Sequence, residues 1–345
     1  MDLPKINLAV SVDVEEDNWG FTGSRPTVEN IRMISRLQGL FDRRGIKPTY
    51  LVTYPVASQG WAVDLLGGIL SSGKCEIGAH LHPWNTPPVR EEINERNSML
   101  KNLPYELQLE KLNALTGKIR CAFGRQPRSF RAGRWGLGGE TVNALIGAGY
   151  LVESSVTPMM SWVDSGDGPD YPDSRTEPYW LPAEWDAPGA DRGRRILEFP
   201  ATIGFNRWPF DFWQGVYARL RKESLSFLHL SGLLHCAGLL RKIWLSPEIS
   251  SARDMIDLSR LMMEKRLKFL NLSFHSTTLL PGKGPFVRDD MELELFYSRL
   301  GKFLDYLASH SRLKSLTLSE VGELFYEPAS RSPLKDDRYC CQAAP

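Results

Sequence analysis

Residues 75–84 read CEIGAHLHPW. The first part of this stretch, 75–79, is a short run that reads as a buried strand, and His80 and His82 stand at its end. The chain has six histidines in 345 residues, so two of them one residue apart ask for a reason. Side chains alternate along an extended chain, which puts His80 and His82 on one face. Neutral imidazole is the commonest nitrogen ligand of zinc, so the pair reads as part of a metal site. The competing reading is an incidental pair in a loop that Pro83 stiffens.

Outward from this strand the pattern is regular. Segments 6–12 and 49–53 read as strands before it, and 129–131 and 151–154 as strands after it. Helical periodicity runs over 27–44, where Thr27 is placed to cap and Gly45 to stop the helix, and over 61–72, 105–122 and 140–147. Strand and helix alternating at this spacing predict an α/β fold of parallel strands with right-handed crossovers. Periodicity does not choose between an open sheet and a barrel. Over 157–195 the pattern gives way to Pro, Gly and Asp, as in an inserted loop. Strands are then expected at 196–200, 269–274 and 315–318, and helices over 208–244, 253–265 and 289–309. No repeat or linker divides the chain. Residues 1–327 therefore read as one domain with insertions at about 157–195 and 205–250, and 328–345 as a disordered tail.

Composition excludes several classes. With 42 Lys+Arg against 41 Asp+Glu there is no basic surplus for nucleic acid. The five cysteines are odd in number and scattered, so neither a disulfide framework nor a Cys-x-x-Cys zinc pattern is expected. The N-terminal run carries no signal peptide, and no stretch reaches the roughly 18 apolar residues that span a bilayer. A cytoplasmic protein with reduced thiols is the expectation. The apolar stretch 225–240, LSFLHLSGLLHCAGLL, lacks the Lys/Arg-rich face of a membrane-surface helix. Packing within the domain is favoured there over membrane contact, with His229 and His235 structural. Ten Trp and eleven Tyr are generous, and aromatics serve both cores and the stacking of sugar rings.

Polar residues gather at other strand ends. In SVDVEEDNW (11–19) the alternation puts Asp13 and Glu15 on one face. Ligands bind at the C-terminal ends of parallel strands, so these acids suit a base and a metal ligand, unless they are only a solvated loop or a helix cap. In FRAGRWG (130–136) Arg131 is placed to pair with Asp13 and keep it ionised. In LNLSFHS (270–276) His275 is placed to act as an acid or base. Two imidazoles with one carboxylate leave a coordination position for water, which marks a catalytic metal site.

In this order, and over roughly residues 5–325, these segments resemble the polysaccharide deacetylases, carbohydrate esterase family four or the NodB-homology family. They look most similar to the WalW-like branch found with capsule and exopolysaccharide genes. The resemblance implies a distorted (β/α)7 barrel, here with an inserted loop and helical region. It also implies a divalent metal, zinc, and removal of N- or O-acetyl groups from sugars. Matched position by position, Asp13 falls on the catalytic base, Glu15 on the metal carboxylate, His80 on the first metal histidine and Arg131 on the arginine that holds the base. Leu272 and His275 fall on the element that carries the catalytic acid. Trp84 stands where the family has its second histidine, which leaves that role to His82. The chain also departs from the family where Val14 separates the acids, in Arg131-Ala132-Gly133-Arg134, and in Glu153-Ser154-Ser155-Val156. Asp17 is a rival to Glu15 as ligand. The implied substrate is an N-acetylated sugar, lipid-linked, nucleotide-linked or an oligosaccharide, met in polysaccharide or glycolipid biosynthesis. Trp162, Tyr171, Tyr179, Trp180 and Trp185 either line its groove or pack the insertion. Two other readings stay open: an amidohydrolase or PHP-type phosphoesterase, and a glycan-binding barrel without turnover.

Overall fold

The computed structural model describes residues 3–17, 20, 26–183, 193–220 and 239–326. In chain order the first elements are β1 (Lys5–Val14), α1 (Ile34–Asp42), β2 (Thr49–Val52), α2 (Tyr54–Ala57), α3 (Gly60–Ser71) and β3 (Glu76–Leu81). Then come α4 (Tyr105–Phe123), β4 (Ser129–Ala132), α5 (Gly139–Gly147), β5 (Val152–Glu153), β6 (Tyr179–Pro182), β7 (Arg195–Glu198) and β8 (Ile203–Phe205). The last are α6 (Phe210–Leu220), β9 (Lys242–Trp244), α7 (Ala252–Glu264), β10 (Phe269–His275), α8 (Asp290–His310), β11 (Arg312–Leu316) and α9 (Leu318–Phe325).

β1 is buried from Leu8 onward because both its edges are taken. β10 pairs along one edge, while β2 and β11 share the other, all parallel. The sheet has nine strands, ordered β10-β1-β2-β3-β4-β5-β7-β6 with β11 beside β1, and only β6 runs antiparallel. It curls into a distorted α/β barrel, and β10 returns to the segments that follow β7 and β9. Single hydrogen bonds stitch that seam: Thr202 N donates to Asn271 O (3.2 Å) and Ser273 N to Leu245 O (3.2 Å).

The period-two pattern of β1 sorts the core into two. Leu8, Val10, Val12 and Val14 join the large cluster between sheet and helices, whereas Ala9 packs with Leu51, Val152, Leu197, Phe199 and Leu316 in a separate one. Ser11 and Asp13 follow Ala9 on that second face, which carries the polar groups of the site above an apolar base.

Several expectations are corrected. Residues 27–44 are not one helix. A 3-10 turn, Glu29–Met33, precedes α1, and the Thr27 hydroxyl donates to Asp17 (2.6 Å) rather than capping. The insertion after 157 contributes β6, which pairs with β7. Within 208–244 the chain forms α6 and then β9, which pairs with β8. Residues 221–238, which hold most of the 225–240 stretch, lie outside the described residues, as do Trp185 and the tail from 327. Cys121 is disulfide-bonded, against the expectation of reduced thiols, and its partner is also outside them. Cys75 is a free, buried thiol. Among the described residues no helix is long and apolar enough to cross a membrane.

Candidate active site

Register builds the floor of a cavity at the C-terminal ends of the strands. The β1–β10 pairing sets Asp13 beside His275, and the β3–β4 pairing sets His80 beside Arg131. Arg131 is fully buried, so each of its nitrogens needs a partner. Its Nη1 donates to Asp13 Oδ1 (2.7 Å), Nη2 to Ser11 Oγ (2.7 Å) and Ser154 Oγ (3.0 Å), and Nε to Ser154 O (2.8 Å). Asn271 braces the group, since its Nδ2 donates to Ser154 Oγ (3.0 Å) and its Oδ1 accepts from Ser11 Oγ (2.9 Å). Burial pushes Asp13 upward, but Arg131, His80 and His275 outweigh it and hold the carboxyl below its usual value.

Glu15, His80 and His82 meet at one corner, with one potential ligand atom from each and all three within 4.8 Å of one another. Glu15 Oε2 lies 3.7 Å from His80 Nε2 and 3.4 Å from His82 Nε2. Bond lengths of about 2.0–2.2 Å in a tetrahedral zinc site would set ligand atoms about 3.4 Å apart, close to both separations from Glu15. The far nitrogens support this. His80 Nδ1 faces the Arg131 carbonyl at 3.1 Å and His82 Nδ1 faces Glu16 Oε1 at 3.3 Å. Each contact places the proton on Nδ1 and leaves the Nε2 lone pair toward Glu15. Burial lowers the pKa of His80, which favours the neutral, ligating form. Burial drives Glu15 up to about 7, helped by Glu16 and Asp13 against His275 and His82, so the corner lacks positive charge that a cation would supply.

His275 has its own carboxylate. Glu248 Oε1 accepts from the His275 backbone N–H (2.9 Å), and Oε2 lies 3.1 Å from Nδ1. Thr278 Oγ1 also donates to Glu248. Nε2 is thereby turned toward Asp13 Oδ2, 3.8 Å away. Burial opposes the charge on His275, yet Glu248, then Glu15 and Asp13, raise its pKa to about 10.

All six residues singled out in the sequence thus line one cavity. Asp17 does not join them. Its carboxylate accepts from Thr27 Oγ1 and the Glu29 and Asn30 backbone N–H groups at 2.6–2.9 Å, which fixes the 3-10 turn. The Glu153–Val156 segment is support: Ser154 holds Arg131, and Ser155 Oγ accepts from Ala132 N (2.8 Å). Of the insertion aromatics, Trp162 lines the cavity, the Tyr171 hydroxyl donates to Trp135 O (3.0 Å), and Trp180 packs edge-on to Tyr326.

Glu16 and Glu248 escaped the sequence reading. Glu16 lies past the end of β1, where alternation no longer gives direction, and it also accepts from Asn85 Nδ2 (2.5 Å). Burial opposes its charge, but His82 and Asn85 keep it ionised. Glu248 follows β9, between the two segments read as helices, and only its nearness in space to His275 identifies it.

No protein-family model and no curated protein matches the chain. Solved structures do. A protein from Mycobacterium smegmatis assigned to the polysaccharide deacetylases is 15% identical, with a TM-score of 0.53 over 94% of this chain and 91% of its own. One from Parabacteroides distasonis assigned as a glycoside hydrolase/deacetylase is 12% identical, with a TM-score of 0.58 over 94% of this chain and 72% of its own. Puue allantoinase is 15% identical, with a TM-score of 0.50 over 93% and 90%. At such identities the likeness is one of fold, and the fold is the one the sequence resemblance implied.

Proposed function

We propose that the chain is a metal-dependent deacetylase of N-acetylated sugars, of the carbohydrate esterase family four type and nearest its WalW-like branch. The observation that carries this reading is the buried Glu15–His80–His82 corner set beside the Asp13–Arg131 pair and His275. The donor set suits zinc, a carboxylate oxygen and two imidazole nitrogens with room for a further ligand. When bound, the cation would polarise the acyl carbonyl and lower the pKa of a water toward about 7.

The chain's own groups account for the proton transfers. Asp13, kept ionised by Arg131, accepts a proton from the attacking water. The water oxygen bonds to the acyl carbon, and the C–N bond then breaks. His275, an imidazolium at neutral pH, gives its Nε2 proton to the departing nitrogen, which would otherwise leave as a strongly basic amide anion. Acid–base help of this kind is worth about 10²–10⁴-fold in rate. Acetate and an amino sugar result. The reading treats 1–327 as one catalytic domain, with a substrate that is a biosynthetic intermediate, lipid-linked, nucleotide-linked or an oligosaccharide.

Acetate release from such N-acetyl donors, lost on chelation and restored by zinc, is the expected result. His80→Ala should lose bound metal and turnover together; full metal content with normal acetate release in that variant sinks the reading. Release of phosphate instead of acetate would favour the phosphoesterase alternative. Glycan binding with no acid release would favour the non-catalytic barrel.

A further inference from the structure

Above the floor the cavity opens to about 630 Å³. That is the size of a site for a drug-sized ligand, far more than an acetyl group fills. Its walls are largely carbon: Trp84, Met160, Trp162, Trp244, Ile249 and Phe286 face it. Indole N–H groups on such walls could meet sugar hydroxyls, but here two of them already donate to protein hydroxyls. Trp162 Nε1 donates to Thr157 Oγ1 (2.8 Å) and Trp244 Nε1 to Ser273 Oγ (3.1 Å). Arg134, also on the wall, donates to Ser98 Oγ (2.5 Å) and pairs with Glu95 at 3.4 Å. Ile249, although apolar, is 55% exposed at the rim.

Among the described residues these walls offer mainly stacking and apolar contact, with Glu95, Arg134, Ser165 and Ser246 as their polar groups. A hydroxyl buried against them without a partner would weaken binding roughly tenfold. An apolar group would strengthen it, by roughly fourfold for each methylene fully removed from water. We propose that the site takes an amphiphilic N-acyl sugar, whose amide lies over the Glu15–His80–His82 corner and whose apolar group of several carbons packs on the Trp and Phe walls. The position of the amide rests on the deacetylase reading; the apolar preference rests on the walls. The apolar group reaches the site either as a hydrophobic aglycone or as a lengthened acyl chain, and both present the same surface.

The test separates binding from turnover. Methyl, hexyl and phenyl β-glycosides of N-acetylglucosamine, and the N-hexanoyl analogue of the methyl glycoside, are titrated against the full chain with zinc. Binding is read by calorimetry and by quenching of tryptophan emission. The expected result is at least tenfold tighter binding of the hexyl and phenyl glycosides (aglycone source) or of the N-hexanoyl compound (acyl source) than of the N-acetyl methyl glycoside. Ile249→Asp at the rim should cut that preference severalfold. Equal affinities across the series overturn the proposal, and so does a preference that Ile249→Asp leaves unchanged. Carboxylic acid release is measured on the same compounds. Apolar preference with no acid released sinks the deacetylase reading alone, and acid release without apolar preference sinks this inference alone.

Discussion

At the scale of single residues, the site is a set of ionisable groups each held by a named partner. Sequence position exposed Asp13, Glu15, His80, His82, Arg131 and His275, because each stands within a strand or just past its end. Their partners Glu16 and Glu248 stayed hidden, since nothing local marks them. Glu248 has the larger consequence for acid–base chemistry. It leads the groups that raise the His275 pKa to about 10, against the opposing effect of burial. A proton donor works while it is protonated, so activity should fall as pH rises through that pKa. Glu248→Gln removes the negative charge and lowers it. The basic limb of the kcat/KM profile should then move to lower pH by about one to three units. A variant profile that overlies the wild type would show that Glu248 does not hold this proton.

At the scale of elements, close approach between neighbours sets where the ligating side chains stand. Gly133 follows β4, and a Cβ built there would collide with the His82 ring and with the Leu81 carbonyl at 2.7 Å. The carbonyl is backbone and cannot yield easily. Gly133→Ala should therefore displace His82 and lower zinc affinity by about 10–100-fold, as happens when a ligand's support is lost. Competition with a chromogenic chelator measures it, and unchanged affinity would refute the crowding argument. The loop after β3 is anchored from α4. Lys111, fully buried, donates from Nζ to the carbonyls of Pro83, Thr86 and Pro88 at 2.8–2.9 Å and pairs with Glu91 at 2.8 Å. Burial lowers its pKa, while Glu91 works to keep the ammonium charged. Lys111→Met would strand a buried carboxylate and three carbonyls, a loss of about 3–5 kcal/mol by denaturant unfolding. A change below about 1 kcal/mol would show that the loop finds other partners. Helical periodicity predicted α4 but gave no reason to single out its buried lysine.

At the scale of the whole molecule, the pairing of strands distant in the chain puts charged groups where no single element would. Glu153 and Glu198 are partners in the β5–β7 register, and both are fully buried. Burial, reinforced by Glu153, raises the pKa of Glu198 well above its usual value. The folded chain therefore keeps a proton there that the unfolded chain gives up above about 4.5. Stability from this group is complete below that value and declines as pH rises through the folded pKa. Glu198→Gln, neutral at every pH, should gain a few degrees in Tm at pH 8, and the gain should vanish near pH 4. Equal Tm values at both pH values would contradict the retained proton on Glu198. The sequence by itself determined the alternation of strand and helix, the strand ends that carry acids and histidines, and, through resemblance, the kind of barrel. Those properties are local: a strand's period of two fixes which residues share a face as long as the strand lasts. Only the tertiary structure set Glu15 rather than Asp17 beside the two histidines, gave His82 and His275 their carboxylates, and clad the cavity in indole. Glu15 and Asp17 lie just beyond β1, where the period ends and the loop's own hydrogen bonds take over. The other partners come from segments far apart in the chain, as with Ser11 and Asn271 at a separation of 260 residues, which only the pairing of β1 with β10 brings into contact.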